Sequence, residues 1–229
     1  MPYKHLFFDL DHTLWDTDRN ALESLHEIYN EIKLPTDNLP FFEDFYKTYK
    51  SHNEKLWGLY SENKIGKEAV RINRFRYTLE DFKIYDYKLA ELFADEFIKR
   101  TPLKQHLMCD TIFVLDQLSL KYSMSIITNG FSESQQTKLS ASGIQKYFDH
   151  VFISEEVGFN KPDPRIFTHA LTITATSIDD AIMIGDTYET DVIGACAAGI
   201  DQVLFKQEIP DHHTATFKIS KLIALLDII

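Results

Sequence analysis

The 229-residue chain is poor in cysteine, proline and glycine, with two, seven and eight of them. Cys109 and Cys196 stand far apart and form no CxxC pair. A disulfide framework and a thiolate zinc site are therefore not indicated, and at most one bridge joins the two. Scarce glycine and proline, with no low-complexity tract, exclude a disordered or fibrous chain. Positive charge is short as well: 24 Lys and Arg stand against 35 Asp and Glu, for a net charge of −11. Such a surface repels the phosphates of long nucleic acids, although a metal ion and a few cations can reverse the field locally for a small phosphorylated ligand. No apolar run is long enough to cross a bilayer: Asp9 and Asp11 interrupt the first, and the stretch from Ile219 to Ile229 is short and broken. The expectation is a soluble cytoplasmic protein, monomeric or dimeric, without a membrane or long nucleic-acid partner. The nine histidines are scattered, and the adjacent pair His212-His213 reads as solvated loop rather than metal site.

What is present is a hydrophobic share of 44%, enough for a full core. Leu6-Phe7-Phe8 running into Asp9-Leu10-Asp11 reads as a buried strand whose carboxyl end opens into a site. From about Asp16 to Arg100 only helical spacing is found. Leu22, Leu25, Ile28, Tyr29 and Ile32 make one stripe, broken by Pro35 and Pro40. Phe42, Phe45, Tyr46, Tyr49, Leu56, Trp57 and Tyr60 make the next, and Leu89, Leu92, Phe93 and Phe97 another. From Pro102 onward strands and helices alternate. Helices are expected over 111–120, 132–142 (ended by Gly143), 164–171, 189–198 (ended by Gly199) and 217–226. Strands are expected over 124–128, 150–153, 181–184 and, as the last, 202–205. The alternation implies an α/β fold, a parallel sheet with helices on both faces, whose ligands bind at the carboxyl ends of the strands.

Four such ends carry groups suited to phosphoryl transfer. Asp9-Leu10-Asp11-His12-Thr13 offers a carboxylate nucleophile and a second carboxyl group two residues on for proton transfer. Thr128-Asn129-Gly130 closes an apolar strand with a hydroxyl, an amide and a glycine that can cradle phosphate oxygens. Lys161 lies in a loop bracketed by proline, and Asp186 ends a strand as a carboxylate suited to Mg2+, with Asp191 in the next turn. Taken singly, each has a plainer reading: aspartates decorating a turn, turn-forming residues, a solvated lysine, a helix N-terminal charge. Their joint occurrence, each at an expected strand end and in this order, is improbable by chance.

These residues resemble the motifs of the haloacid-dehalogenase-like hydrolases over nearly the whole chain. DxDxT matches Asp9 to Thr13, the closing Thr matches Thr128, the lysine in its KPDPxIF-like setting matches Lys161 to Phe167, and GDxxxxD matches Gly185 to Asp191. The resemblance implies a Rossmann-like core over 1–15 and 100–229, with a helical cap domain over 16–99 hinged near residues 15–18 and 98–102. It implies Asp9 as nucleophile and Mg2+ ligand, Asp11 as general acid/base and backbone ligand, and Asp186 as third ligand. Thr13 and Asp191 would support these from behind, and Thr128, Asn129, Gly130 and Lys161 would hold phosphate. Family dehalogenases lack the second aspartate and the metal, so Asp11 favours phosphoryl chemistry. Phosphomutases share the motifs; a sugar-phosphate or phosphoglycolate phosphatase is an alternative enzyme, and a non-catalytic binding module that keeps the fold is the alternative outside catalysis. IITNGF at 126–131, ISEEVG at 153–158 and the stretch Leu56-Trp57 to Tyr60 are similar to a bacterial subgroup of pyrimidine-preferring nucleoside 5′-monophosphatases. His12, where that subgroup often has an acid, and most of the cap depart from it.

Within the helical stretch, Trp57 and Tyr60 are the candidates for a nucleobase contact. Arg71 and Arg74, three apart on one helical face, are candidates for a phosphate or base carbonyl, with a surface charged patch as the plainer alternative.

Overall fold

The computed structural model describes residues 3–32, 40–206 and 215–229; Pro35 and His212-His213 lie outside them. The chain divides into two compact units, Met1–Thr17 with Gln105–Ile229, and Asp18–Lys104.

Among its described residues the first unit holds six strands: β1 His5–Phe8, β2 Ser123–Thr128, β3 His150–Ile153, β4 Ala181–Gly185, β5 Asp201–Phe205 and β6 Phe217–Ile219. All adjacent pairs are parallel, in the order β3-β2-β1-β4-β5-β6. This is a Rossmann-like order, which reverses at β1. Parallel strands covered on both faces read as continuous apolar runs, which is why HLFF and AIMIG carry almost no polar residue. Successive side chains still point to opposite faces. Leu6, Phe8, Ile126 and Ile184 pack with Val114, Leu115 and Leu118 of α5 (Thr111–Leu118) and Leu139 of α6 (Ser132–Ala141). Phe7, Ile127 and Met183 pack on the other face with Ile166, Phe167 and Ala170 of α8 (Pro164–Ile173) and Ala195 of α9 (Ile193–Ala197). A short helix, α7 (Ser154–Val157), follows β3 and ends at Gly158 with φ +87°.

Two expectations are corrected. Residues 217–219 form a sixth strand and not the start of a helix; only Leu225–Ile228, α10, is α-helical there. Three residues are too few to display a period of two, whereas Ile219, Leu222 and Leu225 fall at helical spacing; the pairing of Val203 with Phe217 and Phe205 with Ile219 decides the outcome. The segment expected as one helix over 189–198 begins as a π-turn, Tyr188–Val192, before α9.

The second unit contains α1 (from Thr17 in the first unit to Glu31), α2 Phe42–Ser61, α3 Lys67–Asp81 and α4 Tyr87–Arg100. Asp86 caps α4 by accepting from the Leu89 amide at 3.0 Å. Its core is largely aromatic: Phe45, Tyr49, Phe75, Phe93 and Phe97 are buried together with Leu25, Ile28 and Leu79. Phe75 lies 5.8 Å from Phe93 and 5.6 Å from Phe97, centroid to centroid. No helix among the described residues is long and apolar enough to cross a membrane.

Candidate active site

β1 is central, so the residue that follows it emerges where the strand order reverses. Asp9 is that residue, and its amide donates to the Ile184 carbonyl of β4 at 2.8 Å. Beyond it the chain folds back sharply: Leu14 and Trp15 amides donate to the Leu10 carbonyl at 3.0 and 2.9 Å, and His12 takes φ +61°. Leu10, Leu14 and Trp15 are wholly buried and anchor the turn, while Asp9, Asp11 and Thr13 alternate with them.

Two groups of side chains converge on this turn. In the first, Lys161 Nζ lies 2.7 Å from Asp9 Oδ1 and 2.6 Å from Asp191 Oδ1, all three residues being buried. Asp191 Oδ2 accepts from the Thr187 amide at 3.0 Å, so both its oxygens are committed. Thr13 Oγ1 makes long contacts to Asp9 Oδ2 (3.5 Å) and Asp186 Oδ1 (3.4 Å). Burial pushes the Asp9 carboxyl above its ordinary range; Lys161 opposes this, and Asp191, Asp186 and Asp11 add to it. Asp186 is raised by burial and then by the charge of Asp191. Burial works against the Lys161 charge, but Asp191 and Asp9 outweigh it and hold the ammonium above its usual range.

In the second group, Lys138 Nζ lies 2.6 Å from Asp11 Oδ1, and Gln135 Nε2 donates to Asp11 Oδ2 at 2.9 Å and to Thr128 Oγ1 at 2.7 Å. Thr17 Oγ1 also donates to Asp11 Oδ1, at 3.0 Å. Burial alone raises the Asp11 carboxyl; the charge and hydrogen bond of Lys138, with the bond from Gln135, reverse this and hold it at about 2.

The structure thus brings Asp9, Thr13, Lys161, Asp186 and Asp191 into one cluster, with Asp11 and Thr128 in the neighbouring one. Two of the expected phosphate groups also make contacts within the chain. Asn129 grips the Lys161 backbone, its Nδ2 donating to the carbonyl at 2.9 Å and its Oδ1 accepting from the amide at 2.8 Å. That two-point clamp positions the lysine backbone. The Gly130 amide donates to Thr128 Oγ1 at 3.0 Å, and a Cβ at Gly130 would lie 1.7 Å from Gln135 Nε2. The glycine therefore serves to admit the Gln135 amide.

The helical unit treats its four candidates unequally. Arg74 is only 4% exposed, with its guanidinium 4.7 Å from the Phe97 centroid and 5.2 Å from that of Phe75. It bonds to Asn53 and to the Arg71 carbonyl, so it belongs to the interior and not to a surface patch. Arg71 is held by Glu68 and Asp95. Tyr60 is buried and meets the half-buried Trp57 edge-on at 5.6 Å, leaving Trp57 as the more accessible ring.

Asp9, Asp186 and Asp191 each offer a carboxylate oxygen, all within 4.8 Å of one another. Three carboxylates there face a single ammonium, an excess of negative charge that a hard divalent cation would balance with oxygen ligands. Asp191 has both oxygens in short contacts, to Lys161 and the Thr187 amide, whereas Asp9 Oδ2 and both Asp186 oxygens make only long ones and would be the freer to serve such an ion. Sequence reasoning missed Gln135 and Lys138. They are three apart on α6, which gives them one face, but the buried stripe Gln135, Lys138 and Leu139 is mostly polar and lacks the apolar spacing that marks a buried helix face.

The profile of the haloacid dehalogenase-like hydrolases matches residues 6–205. The chain belongs to that family. It is 30% identical over 227 residues to the pyrimidine 5′-nucleotidase YjjG of Escherichia coli, covering 97% of this chain and 96% of that protein. It is 29% identical over 241 residues to the pyrimidine 5′-nucleotidase PynA of Streptococcus pneumoniae, covering 99% and 95%. The magnesium-bound crystal structure of the HAD-hydrolase YfnB from Bacillus subtilis is similar with a TM-score of 0.89 at 26% identity, over 100% of this chain and 99% of that one.

Proposed function

We propose that the chain is a Mg2+-dependent phosphomonoesterase that cleaves nucleoside 5′-monophosphates, pyrimidine nucleotides foremost, through an aspartyl-phosphate on Asp9. The observation that carries this reading is the buried Asp9 carboxylate at the end of the central strand, 2.7 Å from Lys161 and two residues from Asp11. Similarity to YjjG and PynA supports the choice of nucleotide.

Asp9 Oδ2, the oxygen not bound to Lys161, attacks phosphorus as the ester P–O bond breaks. Asp11 gives its proton to the leaving oxygen; the dianionic phosphate arriving beside it favours the protonated carboxyl. Asp11 then takes a proton from water, whose oxygen attacks the phosphoryl group, releasing inorganic phosphate and restoring Asp9. Lys161 and Thr128 receive the charge spread over the phosphoryl oxygens. Asp9, Asp186 and the Asp11 carbonyl would hold Mg2+, which when bound would supply the charge neutralisation that lets a carboxylate approach an anionic phosphate.

The test is phosphate release from a panel of nucleoside monophosphates and sugar phosphates, with Mg2+ and with EDTA, for wild type and Asp9→Asn. Metal-dependent release led by UMP, dUMP or dTMP and abolished in the variant is expected. Release from sugar phosphates or phosphoglycolate alone would discard the nucleotide and keep the chemistry. No release by the wild type, or an active Asp9→Asn, would overturn the reading.

A further inference from the structure

Gln135 is fully buried, yet among the described residues its Oε1 has no hydrogen-bond partner. A buried carbonyl oxygen without a partner is destabilising, and natural structures seldom keep one without a reason. The reason lies at the other end of the amide. Nε2 donates both to Asp11 Oδ2, at 2.9 Å, and to Thr128 Oγ1, at 2.7 Å. Turning the amide over would press a carbonyl oxygen against the Asp11 carboxylate, so Nε2 is the atom that must face Asp11. Thr128 Oγ1 also accepts from the Gly130 amide at 3.0 Å, so its acceptor capacity is filled and its own hydrogen is left to donate. One turn further along α6, Lys138 fixes the other Asp11 oxygen at 2.6 Å. Its ammonium is itself held 4.5 Å from the centre of the Trp15 ring, and Trp15 is wholly buried in the same turn as Asp11.

We propose that Gln135 and Lys138 are positioning residues, which hold the Asp11 carboxylate in the attitude for proton transfer while Gln135 also turns the Thr128 hydroxyl toward the phosphate. The proposal rests on the reading of Asp11 as general acid/base, and it extends the site to one face of α6. Two carboxylate oxygens held by two independent donors cannot rotate away without losing a charged contact, and a misplacement of about 1 Å can cost on the order of 100-fold in rate. Thr17 Oγ1 touches Asp11 as well, but it shares the Oδ1 atom with Lys138 and leaves Oδ2 to Gln135 alone.

The leaving group distinguishes this role from a merely structural one. A nucleoside or alkyl phosphate needs a proton on its departing oxygen, whereas the nitrophenolate of p-nitrophenyl phosphate leaves without one. In Gln135→Leu and Lys138→Met, kcat/KM for a nucleoside monophosphate should fall at least tenfold further than kcat/KM for p-nitrophenyl phosphate, on the order expected for a misplaced proton donor. Lys138→Arg, which keeps a cation, should recover part of the difference. An equal fall for both substrates, or no fall, would overturn the proposal. Crystal structures of Gln135→Leu, Lys138→Met and the double variant give a reading independent of turnover: the Asp11 side chain should leave its wild-type position in the double variant. If it stays, the tether is refuted whatever the enzyme hydrolyses. If wild type releases no phosphate yet Asp11 moves as expected, the tether stands and the proposed reaction falls.

Discussion

Asp191 Oδ2 stands where a side chain on Gly185 would begin: a Cβ there would lie 2.2 Å from it and 2.4 Å from Asp191 Cγ. The last residue of β4 is thus glycine because the carboxylate that holds Lys161 leans across it. Gly185→Ala should displace Asp191 and, with it, the Lys161 ammonium that bridges to Asp9. The expected result is a loss of kcat/KM on the order of 100-fold or more, read by steady-state kinetics beside a thermal melt. Full activity with an unchanged melt would show that the Asp191 contact is dispensable.

A bound divalent cation should stabilise the protein, since it would relieve the repulsion among Asp9, Asp186 and Asp191. Saturating Mg2+ at about 100 times its dissociation constant contributes about 2.7 kcal/mol to the folded state, enough to raise the melting temperature measurably. Asp186→Asn should erase that Mg2+-dependent rise. An identical rise in the variant would place the ion elsewhere.

His5 makes a prediction that needs no substrate. It is buried, bonded to Ser125 Oγ at 2.8 Å, with its ring centroid 4.6 Å from that of Phe7. Burial lowers its imidazole from 6.5 to about 4, against a smaller upward pull from Asp149. The unfolded chain takes up the proton first as pH falls, so His5 stabilises the fold fully above 6.5 and loses that contribution between 6.5 and about 4. The slope there approaches about 1.4 kcal/mol per pH unit. Urea denaturation across this range should be flatter for His5→Gln than for wild type; parallel curves would refute the assignment.

Trp57, the half-buried ring that the buried Tyr60 meets edge-on, is the proposed contact for the base of a nucleotide. Stacking on a base contributes about 1–3 kcal/mol, so Trp57→Ala should raise KM for a pyrimidine nucleotide roughly five- to 150-fold and leave KM for a small sugar phosphate nearly unchanged. Equal KM values for the nucleotide in both proteins would remove Trp57 from recognition.

The parts of this protein that are legible in its sequence are those whose signal is local. Asp9, Thr128 and Asp186 each directly close or follow an apolar strand of four to six residues, so the strand and its terminal polar group are seen together. β6 was hidden because a three-residue edge strand has no period of its own. The burial of Arg74 is illegible for a different reason. A guanidinium on a helix is ordinarily solvated, and only the packing of α2 and α4 against α3 encloses it between an asparagine and two phenyl rings. Gln135 and Lys138 lie on a helix whose buried face is polar because it faces Asp11, some 124 and 127 residues away, and no window of local sequence contains that partner.

The ion pair between Lys161 and Asp9 joins residues 152 positions apart, and Thr13 reaches Asp186 across 173. Synthesis runs from Asp9 toward Lys161 and Asp186, so a growing chain carries the proposed nucleophile before the groups that would make it reactive. Closing so distant a contact is slow relative to forming helices, since loop entropy must be overcome first. The proposed turnover would consequently be a property of the finished topology, and its recovery on refolding should time the completion of the sheet more faithfully than helical signal does.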